Sequence, residues 1–488
     1  MNIILDNEIY RLDVYDILSI FLPHDSIVFV SHGEGEIFSH DSNAQSTDFL
    51  VINTNGRIAL KFLEKGRVVF QSFKNMDDLN LDSFISYRMA IKYEILSFFI
   101  NFFKKSSPWG ILTGIRPVKV ATKLLKSKTF EETLSYLENR MLLSSKKAKL
   151  ISDISTIQKP IRENISREGY SLYINIPFCT GRCSYCSYST LILEKNGGIV
   201  KSYIESLLKE MKELNKILNG RKLSTIYIGG GTPTSLKLVD LKNLLQGINE
   251  IYDLEKVEEF TVEAGREDSL TLEKLKALKD NKITRISLNP QSFKEDTLLE
   301  IGRKQDNANL INMYNQGRNL DFDSINMDLI VGLPNEDIRD FNHTLEVIER
   351  LKPDNLTVHT LALKKGSRLL QNGGNLQSEF VEAKKMMDRA LDFSFEKGYI
   401  PYYLYRQKRI LGNLENIGFS KPEKICKYNI YMMEELQDII GIGMGSGSKF
   451  LKDGDLIINH RNYMNMRDYL GKLEEIIEEK KELIISEK

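Results

Sequence analysis

Residues 173–186 read YINIPFCTGRCSYC, and this stretch holds three of the four cysteines of the 488-residue chain. Their spacing, C-x3-C-x2-C, indicates a loop wrapped around one metal centre rather than a set of unrelated buried thiols. Three thiolates suit three irons of a [4Fe–4S] cube and leave the fourth iron open to another ligand. The stretch therefore predicts a cluster with a reactive open iron, bound by Cys179, Cys183 and Cys186.

Zinc and disulfide bonds are the alternative uses of such a loop. Structural zinc usually closes its shell with four Cys or His ligands. The remaining cysteine, Cys426, is distant in sequence, and none of the six histidines lies near the loop. Disulfide frameworks are typical of small secreted chains, and this chain is long with few cysteines. Spacing alone favours the cluster and leaves zinc as the main alternative.

Composition limits the classes of function. Lys+Arg and Asp+Glu number 67 each, so the formal net charge is zero, which argues against general nucleic-acid or membrane-surface binding. The apolar runs are short and interrupted by charge, and the N-terminus lacks a basic, then apolar, leader pattern. Low cysteine use suits a reducing compartment. We expect a cytoplasmic protein with no nucleic-acid partner and no stable membrane anchor.

The pattern of the chain divides it into three regions. Residues 1–165 contain no cysteine and read as a separate N-terminal α+β domain, and residues 401–488 read as a mixed α+β region. Between them, residues 166–400 alternate short β-rich runs with amphipathic helical patterns, which predicts a parallel sheet with helical crossovers. The six predicted strands are Leu172–Ile176, Thr225–Ile228, Glu259–Glu263, Arg285–Asn289, Asn326–Val331 and Leu356–Leu361. Periodicity alone leaves both an open six-unit β/α barrel and a doubly wound sheet possible.

Polar and glycine-rich groups recur where these strands end. In parallel β/α folds the functional loops lie at the carboxyl ends of the strands, and the cysteine loop follows the first of them. The second strand leads into GGGTP at residues 229–233, whose glycines allow backbone amides to approach a ligand closely. Glu263 ends the third strand, and Asp328 interrupts an otherwise apolar one. A tight βα turn and a salt-bridged strand end are the ordinary alternatives, but the recurrence favours a ligand site.

With these residues in view, the chain resembles the radical S-adenosylmethionine (SAM) enzymes. More narrowly, it resembles the oxygen-independent coproporphyrinogen III oxidase or dehydrogenase (HemN-like) family, in its HemZ-type branch. The resemblance rests on residues 173–186, 229–233, 285–291, 301–303 and 328–334, and on 401–408 and 414–428 near the C-terminus. It implies an open, partial β/α barrel of six units, with an N-terminal α+β domain and a C-terminal α+β extension.

The resemblance also implies the cofactors and the residues that hold them. Cys179, Cys183 and Cys186 would bind a [4Fe–4S] cluster, and one or two SAM molecules would bind beside it. By similarity, the SAM contacts fall on Tyr173, Tyr185, Gly230, Gly231, Thr232, Glu263, Gln291, Arg303, Asp328 and Ala362. The cofactors carry the difficult chemistry, so no single side chain is expected to be the catalyst.

The implied activity belongs to porphyrin and haem biosynthesis. A radical made from SAM would remove hydrogen from substrate propionates, which then lose carbon dioxide and become vinyl groups, converting coproporphyrinogen III to protoporphyrinogen IX. The reaction would need a low-potential electron donor such as flavodoxin or ferredoxin. Arg406, Lys408 and Arg116 are candidate cations for the carboxylates of the porphyrinogen substrate. A haem-binding chaperone on the same scaffold and a radical SAM enzyme with another substrate are the alternatives.

Two departures from the family pattern bear on that choice. The well-studied coproporphyrinogen dehydrogenases have a further cysteine two positions past the triad, where this chain has Tyr188. The haem-chaperone relatives share a Cys-x-His-Asn pattern near the C-terminus, where this chain has Tyr428 in place of the histidine.

Overall fold

The computed structural model describes residues 1–22, 26–30, 49–54, 57–64, 67–79, 81–105, 107–166, 168–188, 190–362, 376–407, 410–452 and 456–486. They fall into two units, Met1–Ser155 and Thr156–Lys488. The boundary lies within the helix Ser145–Asn164, so the predicted boundary at residue 165 follows the end of that helix. In these residues no helix is both long and apolar enough to cross a lipid bilayer.

The first unit combines a five-stranded sheet with helices. The strands are β1 (Asn2–Leu5), β2 (Val28–Phe29), β3 (Phe49–Asn53), β4 (Arg57–Glu64) and β5 (Arg67–Asn75), in the order β2-β1-β3-β4-β5. The helices are α1 (Arg11–Leu18), α2 (Tyr87–Phe103), α3 (Val118–Leu124), α4 (Phe130–Met141) and the part of α5 (Ser145–Asn164) that precedes the boundary. Alternation along β4 buries Ile58, Leu60 and Phe62, as expected for a sheet with one covered face.

The second unit is built on one open sheet of eleven strands. These are β6 (Tyr170–Ile176), β9 (Leu223–Gly230), β10 (Glu259–Glu263), β11 (Arg285–Ser287), β12 (Ser324–Val331), β13 (Asn355–Thr360), β14 (Ile400–Tyr405), β15 (Asn416–Ser420), β16 (Asp438–Ile442), β17 (Gly447–Lys452) and β18 (Leu456–Arg461). Two short strands of the cysteine loop, β7 (Phe178–Cys179) and β8 (Leu191–Ile192), pair separately.

The strand order is β14-β15-β13-β12-β11-β10-β9-β6-β16-β17-β18. The strands from β13 to β16 in this order are all parallel, and at each end of the sheet the two outer strands join through antiparallel pairings. The six predicted strand–helix units are therefore confirmed as an open parallel sheet. A seventh parallel strand, β16, comes from the C-terminal region and pairs with β6.

Helices complete the second unit. They are α6 (Leu193–Asn196), α7 (Val200–Leu218), α8 (Leu238–Ile251), α9 (Leu272–Asp280), α10 (Glu295–Glu300), α11 (Asn307–Asn319), α12 (Ile338–Leu351), α13 (Leu376–Glu396), α14 (Lys427–Glu434), α15 (Met466–Gly471) and α16 (Leu473–Ile485). On α7 the apolar residues Tyr203, Leu207, Met211 and Leu214 recur at helical spacing and are all buried. A helix with one apolar face packs that face on the sheet. This packing explains why helices form the connections between the parallel strands.

A buried polar network on α7 fixes the loop between β16 and β17. The carboxylate of Glu210 accepts hydrogen bonds from Lys480 Nζ (2.6 Å) and from the backbone N–H of Gly443 (3.0 Å). The hydroxyl of Tyr203 accepts from Met444 N (3.0 Å) and donates to the Asn175 carbonyl (2.7 Å). Because buried polar groups must be satisfied, this network holds the C-terminal strands against β6 at the site described next.

Candidate active site

The cysteine loop is a turn fixed by backbone hydrogen bonds to its neighbours. Cys186 N donates to the Cys183 carbonyl (3.2 Å), and Ser184 N donates to the Ile301 carbonyl (2.9 Å). All three cysteines are free thiols that line one cavity of about 580 Å³ in the second unit. The Sγ atom of Cys179 lies 3.2 Å from Thr232 Oγ1, which links the loop to the end of β9.

The arrangement of the thiols bears on which metal centre they could bind. Across the described residues, no three His, Cys, Asp or Glu side chains converge as the ligands of one ion. An iron–sulfur cube differs from a single ion because each thiolate binds a different iron, so the sulfurs stand further apart. Three free thiols of one loop that line one cavity therefore remain compatible with a cluster.

Two glycines form a cradle beside the thiols. Gly230 has φ +112°, which favours glycine, and a Cβ atom there would lie 2.0 Å from Asn175 Oδ1. A Cβ atom on Gly231 would lie 2.4 Å from the Phe178 carbonyl oxygen. Gly231 N and Thr232 N donate to the carbonyls of Ile176 and Phe178 (2.8 and 2.7 Å). Residues 230–232 line the cavity, and glycine at 230 and 231 lets this backbone pack against Asn175 and Phe178, where a side chain would clash.

Glu263 supplies a carboxyl group on the same wall. Its Oε1 accepts a hydrogen bond from the hydroxyl of Tyr227 (2.8 Å). Burial, opposed by the hydrogen bond from Tyr227 and assisted by the nearby Asp328 carboxylate, raises the pKa of Glu263 to about 7. The group is therefore poised between its neutral and ionised forms near neutral pH.

We expect the raised pKa of Glu263 to make stability depend on pH. The unfolded pKa is near 4.5 and the folded value about 7. Between these values the folded state holds a proton that the unfolded chain has released, so the free energy of unfolding falls as pH rises. Across this pH window the free energy of unfolding of wild type should fall by up to about 3 kcal/mol relative to that of Glu263→Gln. Urea unfolding of the metal-free proteins at a series of pH values measures the difference.

The matched control for this experiment is Glu255→Gln, because Glu255 is a surface carboxylate with 77% of its side chain exposed. Its pH profile should follow that of wild type. A Glu263→Gln profile that also follows wild type would show that the Glu263 carboxyl is not perturbed.

A second group of polar residues lines the cavity on β12 and β13. Asp328 accepts from Asn326 Nδ2 (2.7 Å), and its Oδ2 lies 3.7 Å from His359 Nε2. The other ring nitrogen of His359 lies 3.2 Å from the hydroxyl of Tyr405. Gln291 follows β11 with φ +66°, and its buried Oε1 faces this cavity without a protein hydrogen-bond partner. An orphaned acceptor and a strained backbone together indicate a ligand position.

Tyrosines form much of the remaining wall. Tyr227 and Tyr428 stack with ring centroids 4.6 Å apart, and Tyr173 packs beside both at 6.1 and 6.4 Å. Tyr185 packs against the apolar cluster of Leu298, Ile301, Ile330, Leu333 and Leu361. Aromatic side chains give a cavity that is apolar in bulk with a few polar edges, as small-molecule sites commonly are.

The structure brings the predicted cofactor contacts together. All ten residues predicted to bind SAM line the same cavity as the three cysteines: Tyr173, Tyr185, Gly230, Gly231, Thr232, Glu263, Gln291, Arg303, Asp328 and Ala362. Arg303 also ties two loops, because its guanidinium donates to the carbonyls of Gly265 (2.8 Å) and Asn289.

The predicted substrate cations have a different outcome. Arg406 is 3% exposed and its guanidinium donates to the carbonyl and side chain of Asn413, so it is not among the residues that line the cavity. Lys408 lies outside the described residues. Arg116 belongs to the first unit, just before α3.

Sequence patterns did not reveal several residues of the cavity. Arg266 reaches the thiol of Cys183, and Tyr227, Tyr428 and His359 form the walls. Tyr227 and His359 lie within predicted strands. A side chain with a polar group in a mostly apolar strand is the sequence pattern that could have indicated them. Tyr428 was noted only as a departure from a family pattern.

Comparisons with known proteins agree with this geometry. Residues 173–348 match the family described as the Radical SAM superfamily. The chain is 38% identical over 416 residues to the oxygen-independent coproporphyrinogen-III oxidase-like protein HemZ of Bacillus subtilis, covering 84% of this chain and 83% of HemZ. It is 33% identical to the heme chaperone HemW of Lactococcus lactis, over 57% of this chain and 68% of HemW.

Among solved structures, coproporphyrinogen III oxidase (HemN) from Escherichia coli, a radical SAM enzyme, has a similar fold. The TM-score is 0.51 at 21% identity, covering 65% of this chain and 72% of HemN. The donor set fits the cofactors of this superfamily, because the three free thiols of the cysteine loop, the glycine backbone at 230 and 231 and an orphaned amide oxygen line one cavity. Given a match over most of both chains with HemZ, the protein belongs to the HemN-like family of radical SAM enzymes, whose cofactors are a [4Fe–4S] cluster and SAM.

Proposed function

We propose that the protein is a radical SAM oxidoreductase that oxidatively decarboxylates propionate side chains of a porphyrinogen, with coproporphyrinogen III as substrate and protoporphyrinogen IX as product. This substrate class is supported by the relative HemZ, which is named as coproporphyrinogen-III oxidase-like and matches 84% of this chain. Cys179, Cys183 and Cys186 would hold the cluster, and the cradle at Gly230 and Gly231 would receive the methionine end of SAM.

The observation that carries the proposal is the extent of the cavity. The thiols occupy one part of its wall, and Tyr403, Tyr405 and Tyr428 line another part, which comes from β14 and α14. These elements lie outside the region 173–348 that matches the superfamily. The region that matches the superfamily and these additional elements together line the cavity. Such a site suits a substrate held next to SAM.

When bound, the cofactors would supply hydrogen-atom abstraction by a carbon radical made through reductive cleavage of SAM. The propionate loses one hydrogen atom from its β-carbon, then carbon dioxide and one electron, and a vinyl group remains. The electron must pass to a one-electron acceptor. The protein's own part is to hold the propionate near SAM and to exclude water with its tyrosine wall.

Arg182 is a further candidate for binding a substrate carboxylate. It lies in the cysteine loop, its side chain is exposed, and it lines the cavity. An arginine at this position would bind a propionate other than the reacting one, through the bidentate pairing that arginine forms with carboxylates. Lys408 remains a proposed contact.

An anaerobic assay tests the proposal. The reconstituted protein receives SAM, a strong reductant and coproporphyrinogen III, and the tetrapyrroles are analysed by mass spectrometry. We expect successive loss of carbon dioxide from two propionates, with 5′-deoxyadenosine formed alongside. The matched control is Cys183→Ala, which should give neither product.

Two results would contradict the proposed reaction and would point to different functions. Formation of 5′-deoxyadenosine with unchanged tetrapyrrole would indicate a radical SAM enzyme acting on another substrate. Absence of SAM cleavage, together with stoichiometric binding of haem, would indicate a chaperone like the HemW relative.

A further inference from the structure

Arg266 lies just beyond β10 and contacts a cysteine of the predicted cluster loop. Its Nη1 lies 3.5 Å from the Sγ atom of Cys183, within hydrogen-bond distance for sulfur, and the residue is only 7% exposed. It lines the same cavity as the three thiols. The chain therefore places a buried, permanently charged donor on a sulfur atom that the cluster would use.

The rest of the guanidinium is held in place. Nε and Nη2 donate to the two carboxylate oxygens of Asp268, at 3.0 and 2.6 Å, in a bidentate pair. The hydroxyl of Thr180, which lies in the cysteine loop, donates to the same carboxylate (3.1 Å). Because a bidentate pair fixes the plane of the guanidinium, Nη1 stays directed at Cys183.

We propose that Arg266 is a positioning residue that raises the reduction potential of the [4Fe–4S] cluster through its hydrogen bond to the Cys183 sulfur. One-electron reduction adds negative charge to the cluster, and a cationic donor on a ligand sulfur stabilises that charge. Hydrogen bonds to the sulfurs and net charge are among the factors that set cluster potentials. The inference rests on Cys183 as a cluster ligand and not on the identity of the substrate.

The potential can be measured without substrate. Wild type and Arg266→Gln are reconstituted anaerobically, and the fraction of reduced cluster is followed by electron paramagnetic resonance during a redox titration. We expect the variant cluster to be about tenfold harder to reduce, which for a one-electron couple is a midpoint about 59 mV more negative. Arg266→Lys keeps the charge without the planar fork and should shift the midpoint less.

The control variant is Arg182→Gln, which also removes one positive charge beside Cys183 but from an exposed side chain. Solvent screening should make its effect on the midpoint smaller. The midpoint potential can be measured on a sample in which only part of the protein carries a cluster. A lower cluster content in a variant therefore does not hide the result. An unchanged or more positive midpoint in Arg266→Gln, or an equal shift in Arg182→Gln, would overturn the inference.

Discussion

Cys183→Ala is expected to abolish cluster assembly and, with it, all cleavage of SAM. Alanine has no atom that can bond to iron, and the two remaining cysteines of the loop would leave two irons of the cube without protein ligands. Cys183 is the most buried of the three, at 8% exposure, so water cannot readily replace its sulfur. We expect iron and sulfide contents near background and no detectable 5′-deoxyadenosine.

Cys426→Ala is the matched control. Cys426 is the fourth free cysteine, and its thiol donates to Glu259 Oε1 (3.1 Å) rather than belonging to the cysteine loop. Burial raises the pKa of this thiol well above its usual range, which suits a neutral hydrogen-bond donor rather than a metal-binding thiolate. The variant should keep its iron and sulfide. Full iron and sulfide in Cys183→Ala would disprove the ligand assignment.

The same samples separate a cluster from zinc, the alternative that the spacing left open. A cluster brings iron and acid-labile sulfide in equal amounts, whereas a zinc site brings neither. Metal and sulfide analysis of wild type therefore tests the prediction made from C-x3-C-x2-C, independently of any activity.

The parallel part of the fold could be predicted because its signals are local. Each buried strand is a short apolar run followed by an amphipathic helix, and β10 has the bounds expected from the sequence, Glu259–Glu263. The C-terminal strands could not be placed in this way. β16 pairs with β6 through Asp438 and Tyr170, and that register depends on packing between segments far apart in sequence.

The site shows the same division. The cysteines and glycines form compact motifs, so their positions could be predicted, and the structure brings them to one cavity. Arg266 could not be identified, because its relation to Cys183 depends on how two loops fold against each other. Arg406 shows the opposite limit: a basic residue in a basic stretch suggested a carboxylate site, but Asn413 accepts its hydrogen bonds instead.

Gly230→Ala is expected to weaken SAM binding by about 10²-fold. The residue has φ +112°, and its new Cβ would lie 2.0 Å from Asn175 Oδ1. Asn175 has little freedom to move, because its Nδ2 donates to the Met444 carbonyl (2.6 Å). The end of β9 must therefore shift, and displacements near 1 Å at a site can cost two orders of magnitude. Equilibrium binding of SAM to the reconstituted protein measures the loss.

Gly220→Ala separates the two causes of that effect. Gly220 also has a positive φ, +94°, but a Cβ atom there would meet nothing within 4 Å. Both substitutions carry backbone strain of about 1–3 kcal/mol, so both should lower stability, as thermal unfolding would show. Only Gly230→Ala adds a clash, with Asn175, at a residue that lines the cavity. Equal SAM affinity in the two variants would mean that the cradle is a structural turn, and SAM would then have to bind elsewhere on the cavity wall.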